Sequence, residues 1–131
     1  MSVRAVRIDE VPAIAAEGMA WRPVRHHLGI RAFGTNAYTA ERAGDLVVEP
    51  HDEDESEELY VVVAGAARFV VDGGEALDAP AGTLVLVTPP SHRVAHATEP
   101  GTAVLAIGAV PGRAFAVSEW EERWLAGAGD Q

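Results

Sequence analysis

The segment at residues 44–65 (GDLVVEPHDEDESEELYVVVAG) constrains this chain more than any other. Two apolar, strand-like runs flank an acidic turn that begins at His51. Side chains two apart on a strand share a face, so His51 and Glu53 point the same way if the first strand continues through them. Glu58 opens the second strand beside them. The segment therefore predicts a hairpin on which one imidazole and two carboxylates converge, a group that could hold one ion.

Composition excludes several classes of function. The chain has 131 residues, 48% of them hydrophobic and 23% charged, which is typical of one globular domain with one core. It contains no Cys and no Lys, so thiolate ligands, disulfides and chemistry on a lysine amine are excluded. The net charge of −10 argues against nucleic acid and anionic membranes as partners. Neither a signal-like region nor a membrane-spanning run is present, so we expect a cytoplasmic protein.

Short strand-like runs separated by turn signals recur along the chain, which favours an all-β sandwich or barrel. We predict strands at about 3–8 and 23–33. Further strands are predicted in TNAYTAE, AARFVVD, GEALDAP, RVAHA and TAVLAIG, and a buried strand in TLVLVT. Ser118 caps a predicted short helix at about 118–126.

The segment at 44–65 resembles the first motif of the cupin superfamily, G-x5-H-x-H-x3,4-E-x6-G. Gly44, His51, Glu58 and Gly65 match it, with one extra residue between Gly44 and His51. Glu53 stands where the family has its second His.

The second motif of the family, G-x5-P-x-G-x2-H-x3-N, is matched only in outline. Gly82 and Pro89 place its start, again with one extra residue. His92 and His96 straddle the position of the family's His. These two are four apart and share a face on a regular strand, so either could point into the barrel beside His51.

The resemblance implies a double-stranded β-helix, that is, a jelly-roll barrel of the small RmlC-like type. We expect a single cupin domain at 1–131, with its core at about 25–110 and a short C-terminal helix at about 118–126. It also implies a homodimer paired through edge strands, for which the predicted strand around residues 3–8 is the candidate.

The same resemblance implies a divergent metal site. Its expected ligands are His51, Glu53, Glu58 and His92, with His96 as the alternative to His92. One divalent ion of iron, manganese, nickel or zinc would suit these imidazole and carboxylate groups. A degenerate site without metal is the other interpretation, since the run HDEDESEE is so acidic that a carboxylate at the right spacing is weak support.

Two functions from different classes therefore stay open. The first is a cupin that binds a small molecule in the barrel without catalytic metal, in an apolar pocket lined from Tyr60 and three valines (Val62, Val85 and Val87). The second is a metal-dependent enzyme, such as a dioxygenase, isomerase or decarboxylase, acting on a small organic acid or polyol. In the second, Glu57 or Tyr60 is the candidate group for moving protons.

Overall fold

The computed structural model describes residues 2–129, with side chains through residue 127. Within this part of the chain there are two helices, α1 (Val24–Leu28) and α2 (Glu119–Gly129), and a short 3-10 turn at Ile8–Glu10. The same part forms ten strands: β1 (Ile14–Ala16), β2 (Met19–Arg22), β3 (Gly34–Ala40), β4 (Leu46–Glu53), β5 (Glu57–Ala64), β6 (Ala66–Val71), β7 (Leu77–Pro80), β8 (Leu84–Val87), β9 (Ser91–Ala97) and β10 (Thr102–Ala109).

The strands build two antiparallel sheets that face each other. One has the order β1-β2-β3-β10-β5-β8, and the other has the order β4-β9-β6-β7. Alternate residues of each strand point inward, so Tyr60 and Val62 of one sheet share the core with Phe69 and Ala95 of the other. This arrangement confirms the predicted all-β jelly roll with a C-terminal helix.

The predicted hairpin at residues 44–65 is wrong. β4 pairs with β9, whereas β5 pairs with β10 and β8, so the two strands lie in opposite sheets. The acidic turn between them carries the chain across the barrel mouth rather than back along the same sheet. The turn is held by Glu53, whose Oε1 accepts the backbone N–H of Ser56 at 3.0 Å.

Gly65 is required where the chain leaves β5 and enters β6 in the other sheet. Its φ of +67° lies in the left-handed region, and a Cβ there would collide with the side chain of Thr102. The Thr102 hydroxyl accepts the Ala66 N–H at 3.2 Å, so the close approach ties β6 to the start of β10. The contact with Thr102 thus explains why the first motif ends in a glycine.

The strand predicted at about 3–8 does not form. Val3 is 88% exposed, and the chain near Arg7 is instead folded locally. The Arg7 N–H donates to Glu10 Oε1 at 2.9 Å, and Arg7 Nε donates to Asp9 Oδ1 at 3.1 Å. These short-range hydrogen bonds compete with a strand and favour the 3-10 turn.

The strand predicted at about 23–33 is also wrong, because α1 occupies its first half. Pro23 precedes the helix, and Gly29 ends it with a φ of +71° while its N–H bonds back to Arg25 and His26. A proline before a helix and a left-handed glycine after it are the usual boundary signals, and here they outweigh the uneven apolar alternation.

The run at β8 is apolar but not buried on both faces as predicted. β8 belongs to a sheet that packs against the other sheet by one face, so alternate residues of β8 face solvent. Val85 and Val87 point into the core, whereas Leu84 and Leu86 remain 64% and 60% exposed.

Helix α2 closes one end of the barrel. Ser118 caps it as predicted, with its Oγ accepting the Glu121 N–H at 3.1 Å. The Trp120 ring packs edge-on against Trp21 of β2 with 4.9 Å between centroids, and Trp124 lies 6.1 Å beyond it. No helix among residues 2–129 is long and apolar enough to cross a membrane.

A largely buried ion pair holds α2 to α1. Arg25 Nε lies 2.9 Å from Glu121 Oε1, and the two side chains are only 12% and 5% exposed. Arg25 also donates to the Ile30 carbonyl at 3.0 Å, so it ties three segments together.

We expect Glu121→Ala to lower the free energy of unfolding by about 2–3 kcal/mol, because it leaves the Arg25 guanidinium buried without a charged partner. Asp78→Ala is the matched control. It breaks the exposed Arg68–Asp78 pair, which is 2.8 Å long, and should cost less than about 1 kcal/mol. Urea unfolding followed by circular dichroism measures both. Equal losses in the two variants would contradict a structural role for the buried pair.

Candidate functional site

A cavity of about 700 Å³ lies between the two sheets at the end of the barrel where α2 packs, which we call the mouth. Its walls come from the inner faces of β3, β4, β5 and β10, and from the chain that leads from β10 into α2. Asn36 and Tyr38 line it from β3, and Asn36 is held there because its Oδ1 accepts the Trp21 indole N–H at 2.8 Å.

The pairing of β4 with β9 decides which side chains enter this cavity. His51 lies opposite Arg93 in the register, and Asp52 lies opposite His92. The inward residues of β4 at its mouth end are Glu49, His51 and Glu53, which all line the cavity. Two register irregularities earlier in β4 decide which of its residues point inward at the mouth. Simple alternation along the strand does not reveal these irregularities.

Three of the four predicted ligands come together. One donor atom from each of His51, Glu53 and Glu58 lies within 4.8 Å of the others. They reach this point from opposite sheets, with His51 and Glu53 on β4 and Glu58 on β5. Convergence across the barrel is therefore a product of the sandwich and not of a hairpin.

The other predicted site residues lie elsewhere. His92 is exposed on the outer face of its sheet, with its Nδ1 3.0 Å from Asp52 Oδ1. His96, the alternative, is exposed on the same outer face. Glu57 is exposed and neighbours Glu58 on β5, so it points to the opposite face. The register that puts Arg93 inside forces both histidines outside.

His51 is oriented by the backbone. Its Nδ1 donates to the Glu49 carbonyl at 2.7 Å, so Nε2 faces Glu58, whose Oε1 is 3.9 Å away. Burial lowers the pKa of His51, but the Glu58 carboxylate, the Glu49 carbonyl and the Glu49 charge outweigh it and raise this pKa to about 9. His51 is thus a cation at neutral pH.

Glu58 is the centre of a hydrogen-bond cluster. Its Oε1 accepts Arg93 Nη1 at 3.0 Å and the Tyr60 hydroxyl at 3.3 Å. Burial and the Glu58 charge raise the pKa of Tyr60 well above its usual value, so the phenol keeps its proton. Tyr60 and Glu58 lie two apart on β5 and share its inner face, which allows this contact.

Glu49 extends this cluster, and sequence reasoning missed it. Its carboxylate lies 3.6 Å from His51 Nδ1, and burial raises its pKa against the opposing charge of His51. The only sequence signal for it is its spacing of two residues before His51.

Arg93 is the largest surprise of the site. Its side chain is completely buried behind Glu58, whereas the second motif predicts that His92 or His96 points inward. Its position two residues after Ser91, opposite His51, becomes meaningful only when the strand register is known.

The three converging donors do not fit a first-row divalent ion in this arrangement. Such an ion holds imidazole nitrogen and carboxylate oxygen at about 2.0–2.2 Å. Glu58 Oε1 already accepts a guanidinium N–H, and this positive charge sits directly behind the carboxylate. His51 is the one imidazole of the group, and its Nδ1 is already engaged by the Glu49 carbonyl.

The apolar pocket predicted from Tyr60 and three valines is replaced by this more polar cavity. Tyr60 lines it, whereas Val62, Val85 and Val87 are buried in the packed core below.

Comparison with known proteins finds similarity in structure only. No protein-family model matches the sequence, and a search of curated proteins finds no match. An uncharacterized conserved protein with a double-stranded beta-helix domain from Klebsiella pneumoniae superposes with a TM-score of 0.66 at 18% identity, over 90% of this chain and 99% of that one. An RmlC-like cupin protein from Desulfovibrio desulfuricans superposes with a TM-score of 0.57 at 22% identity, over 81% and 91%.

A third similar structure is described as a predicted oxalate decarboxylase from Thermotoga maritima. It has a TM-score of 0.63 at 17% identity, over 82% of this chain and 99% of that one. At identities this low, the likeness shows the fold alone.

The raised pKa of His51 predicts how stability depends on pH. The folded state holds this proton more tightly than the unfolded state, whose His pKa is about 6.5. The contribution is therefore fully present below that pH and is lost as pH rises through about 9.

We expect the stability difference between wild type and His51→Gln to shrink by as much as about 3 kcal/mol between pH 6 and pH 9.5. Urea unfolding at both pH values measures it. His92→Gln, on the exposed partner of Asp52, serves as the control. A difference for His51→Gln that does not change with pH would show that His51 is not held as a cation.

Proposed function

This chain has the cupin fold, and we propose that it binds a small molecule in the cavity between its two sheets. The observation that carries the proposal is the cluster of His51, Glu58 and Tyr60, whose polar atoms face a cavity of about 700 Å³. A concave site with a few convergent polar groups on rigid strands is the usual form of a small-molecule site.

The charges at the cavity favour a neutral, hydroxyl-rich ligand. Acidic side chains outnumber basic ones along its wall, and they include Glu17, Glu49, Glu55 and Glu58. Carboxylates accept hydrogen bonds and repel anions, so a polyol or sugar is favoured over an organic acid. In this proposal His51 and Glu58 together hold one hydroxyl, with His51 donating and Glu58 accepting.

We expect simple polyols and sugars, such as xylitol, glucose and inositol, to shift the backbone amide NMR signals of β4 and β5 at the barrel mouth. Oxalate and succinate should leave them unchanged. His51→Gln should weaken binding by about tenfold, because a charged hydrogen bond is lost. The control, His92→Gln, changes the same residue type on the outer face and should bind like wild type.

Shifts caused by the dicarboxylates and not by the polyols would contradict the assignment of a neutral ligand. An unchanged affinity in His51→Gln would contradict the role of the cluster. No response to either class would argue against the cavity as the binding site for such molecules.

A metal-dependent cupin enzyme of the dioxygenase, isomerase or decarboxylase class is the second candidate. The convergence of His51, Glu53 and Glu58 favours it. The Arg93 guanidinium opposes it, because it already brings a positive charge to Glu58 Oε1.

We also propose that the protein forms a homodimer, although not through residues 3–8. Leu84, Leu86 and Val63 expose an apolar area on the outer face of β5 and β8, at 64%, 60% and 43%. In the pairing of β5 with β8, Leu86 lies beside Leu59 and Leu84 beside Val61, so the exposed leucines adjoin apolar residues of the neighbouring strand. An uncharged patch on a chain of net charge −10 suits a second copy, because two such patches meet without bringing like charges together.

We expect wild-type protein to sediment as a dimer at micromolar concentration and Leu86→Glu to sediment as a monomer, since it places a carboxylate at the centre of the apolar contact. Leu77→Glu is the matched control, because Leu77 is 50% exposed but lies on β7 in the other sheet. Analytical ultracentrifugation distinguishes the states. A monomeric wild type, or a dimeric Leu86→Glu, would contradict the proposed interface.

A further inference from the structure

Arg93 is a buried charge that the binding of a small molecule does not itself explain. Its side chain is 0% exposed. Nη1 donates to Glu58 Oε1 at 3.0 Å, Nη2 donates to Ser91 Oγ at 2.6 Å, and Nε has no partner within the described residues. Burying a guanidinium is costly unless it is well paired, and here the pairing is incomplete. Such an arrangement calls for a functional reason.

The position of Arg93 supplies that reason. The register of β4 and β9 places it opposite His51, and its guanidinium bonds one of the converging carboxylates. Arg93 is therefore adjacent to the set His51, Glu53 and Glu58, the described group that offers donors for a metal. Unlike those three residues, it does not line the cavity, so it acts behind the site.

We infer that Arg93 supplies the positive charge that a metal ion would otherwise bring to this site, so that His51, Glu53 and Glu58 form a metal-independent centre. The guanidinium is planar and delocalised, and its Nη1 donates directly to the Glu58 carboxylate. A divalent ion on the same carboxylate would be repelled by a charge only a few ångströms away in a poorly solvated environment. Arg93 thus neutralises and orients Glu58 as a positioning residue.

Arg93 holds Glu58 in this position whichever small molecule binds in the cavity. The role of Arg93 beneath the cavity can therefore be tested without a ligand. It also separates the two candidate functions, because only the metal-dependent enzyme requires an ion at this group.

The experiment is a titration of untagged protein, purified without chelator, with Zn²⁺, Ni²⁺ and Mn²⁺ by isothermal calorimetry. Arg93→Met removes the guanidinium, and Arg93→His removes it and adds an imidazole opposite His51. Arg93→Lys keeps the positive charge. Arg68→Met is the matched control, because Arg68 forms an exposed ion pair with Asp78 on the outer face of β6. His51→Ala in each background identifies binding at the site.

We expect no His51-dependent binding by wild type, Arg93→Lys or Arg68→Met. Arg93→His should gain one site that His51→Ala abolishes, and this site should bind at least about 100-fold more tightly than any residual binding by wild type. Arg93→Met should gain a weaker site. Circular dichroism checks folding. If Arg93→Met does not fold, Arg93→His takes its place, since its imidazole can still donate to Glu58.

Two results would overturn the inference. One is stoichiometric binding by wild type that is lost in His51→Ala, because Arg93 would then not exclude the ion. The other is a folded Arg93→His that binds no metal at His51, because something other than the guanidinium would then exclude it. The wild-type titration can give the first result whether or not the variants fold.

Discussion

The antiparallel pairing of β4 with β9 is the constraint on which the barrel mouth depends. It sets His51 opposite Arg93 and Asp52 opposite His92, and thereby decides which residues are inside. Because the side-chain period of a strand is two, a shift of one residue would put His92 inside and expose the Arg93 guanidinium that bonds Glu58. One irregularity in β4 lies between Leu46 and Val48 and the other between Val48 and His51, so both precede the residues at the mouth and set their register.

The ion pair of Arg93 and Glu58 follows from that register and joins the two sheets. Glu58 lies on β5 and Arg93 on β9, so their 3.0 Å contact crosses the barrel. Tyr60 and His51 then arrange themselves around the same carboxylate. A buried pair of this kind contributes little net stability compared with apolar packing, and its clearer effect is to specify one geometry for the polar groups. Charged hydrogen bonds therefore fix the polar side chains at the mouth. Burial of apolar side chains such as Phe69 and Val62 stabilises the rest of the barrel.

Local signals explain which elements were predictable. The Asp72-Gly73-Gly74 turn joins β6 to the edge strand β7, because Asp72 and Gly73 adopt the positive φ that such a turn needs. Ser118 starts α2 because its hydroxyl caps the first turn. The strand predicted at 23–33 is wrong because Pro23 and Gly29 favour a helix between them more than the uneven apolar alternation favours a strand. The prediction for 3–8 was wrong because a strand depends on a partner strand, which the sequence of that strand does not reveal.

The amino-acid sequence by itself determined an all-β fold, the C-terminal helix and the identity of three converging donors, because alternation, turn residues and motif spacing are local properties. The jelly roll is what the resemblance of residues 44–65 to the first cupin motif implies. Only the tertiary structure decided that β4 and β5 belong to opposite sheets, that both histidines of β9 face solvent, and that Arg93 lies beneath Glu58. These features depend on pairing between strands some forty residues apart in the sequence, such as Asp52 with His92. Strand register is a long-range property, and a slip of one residue exchanges every inward side chain for an outward one.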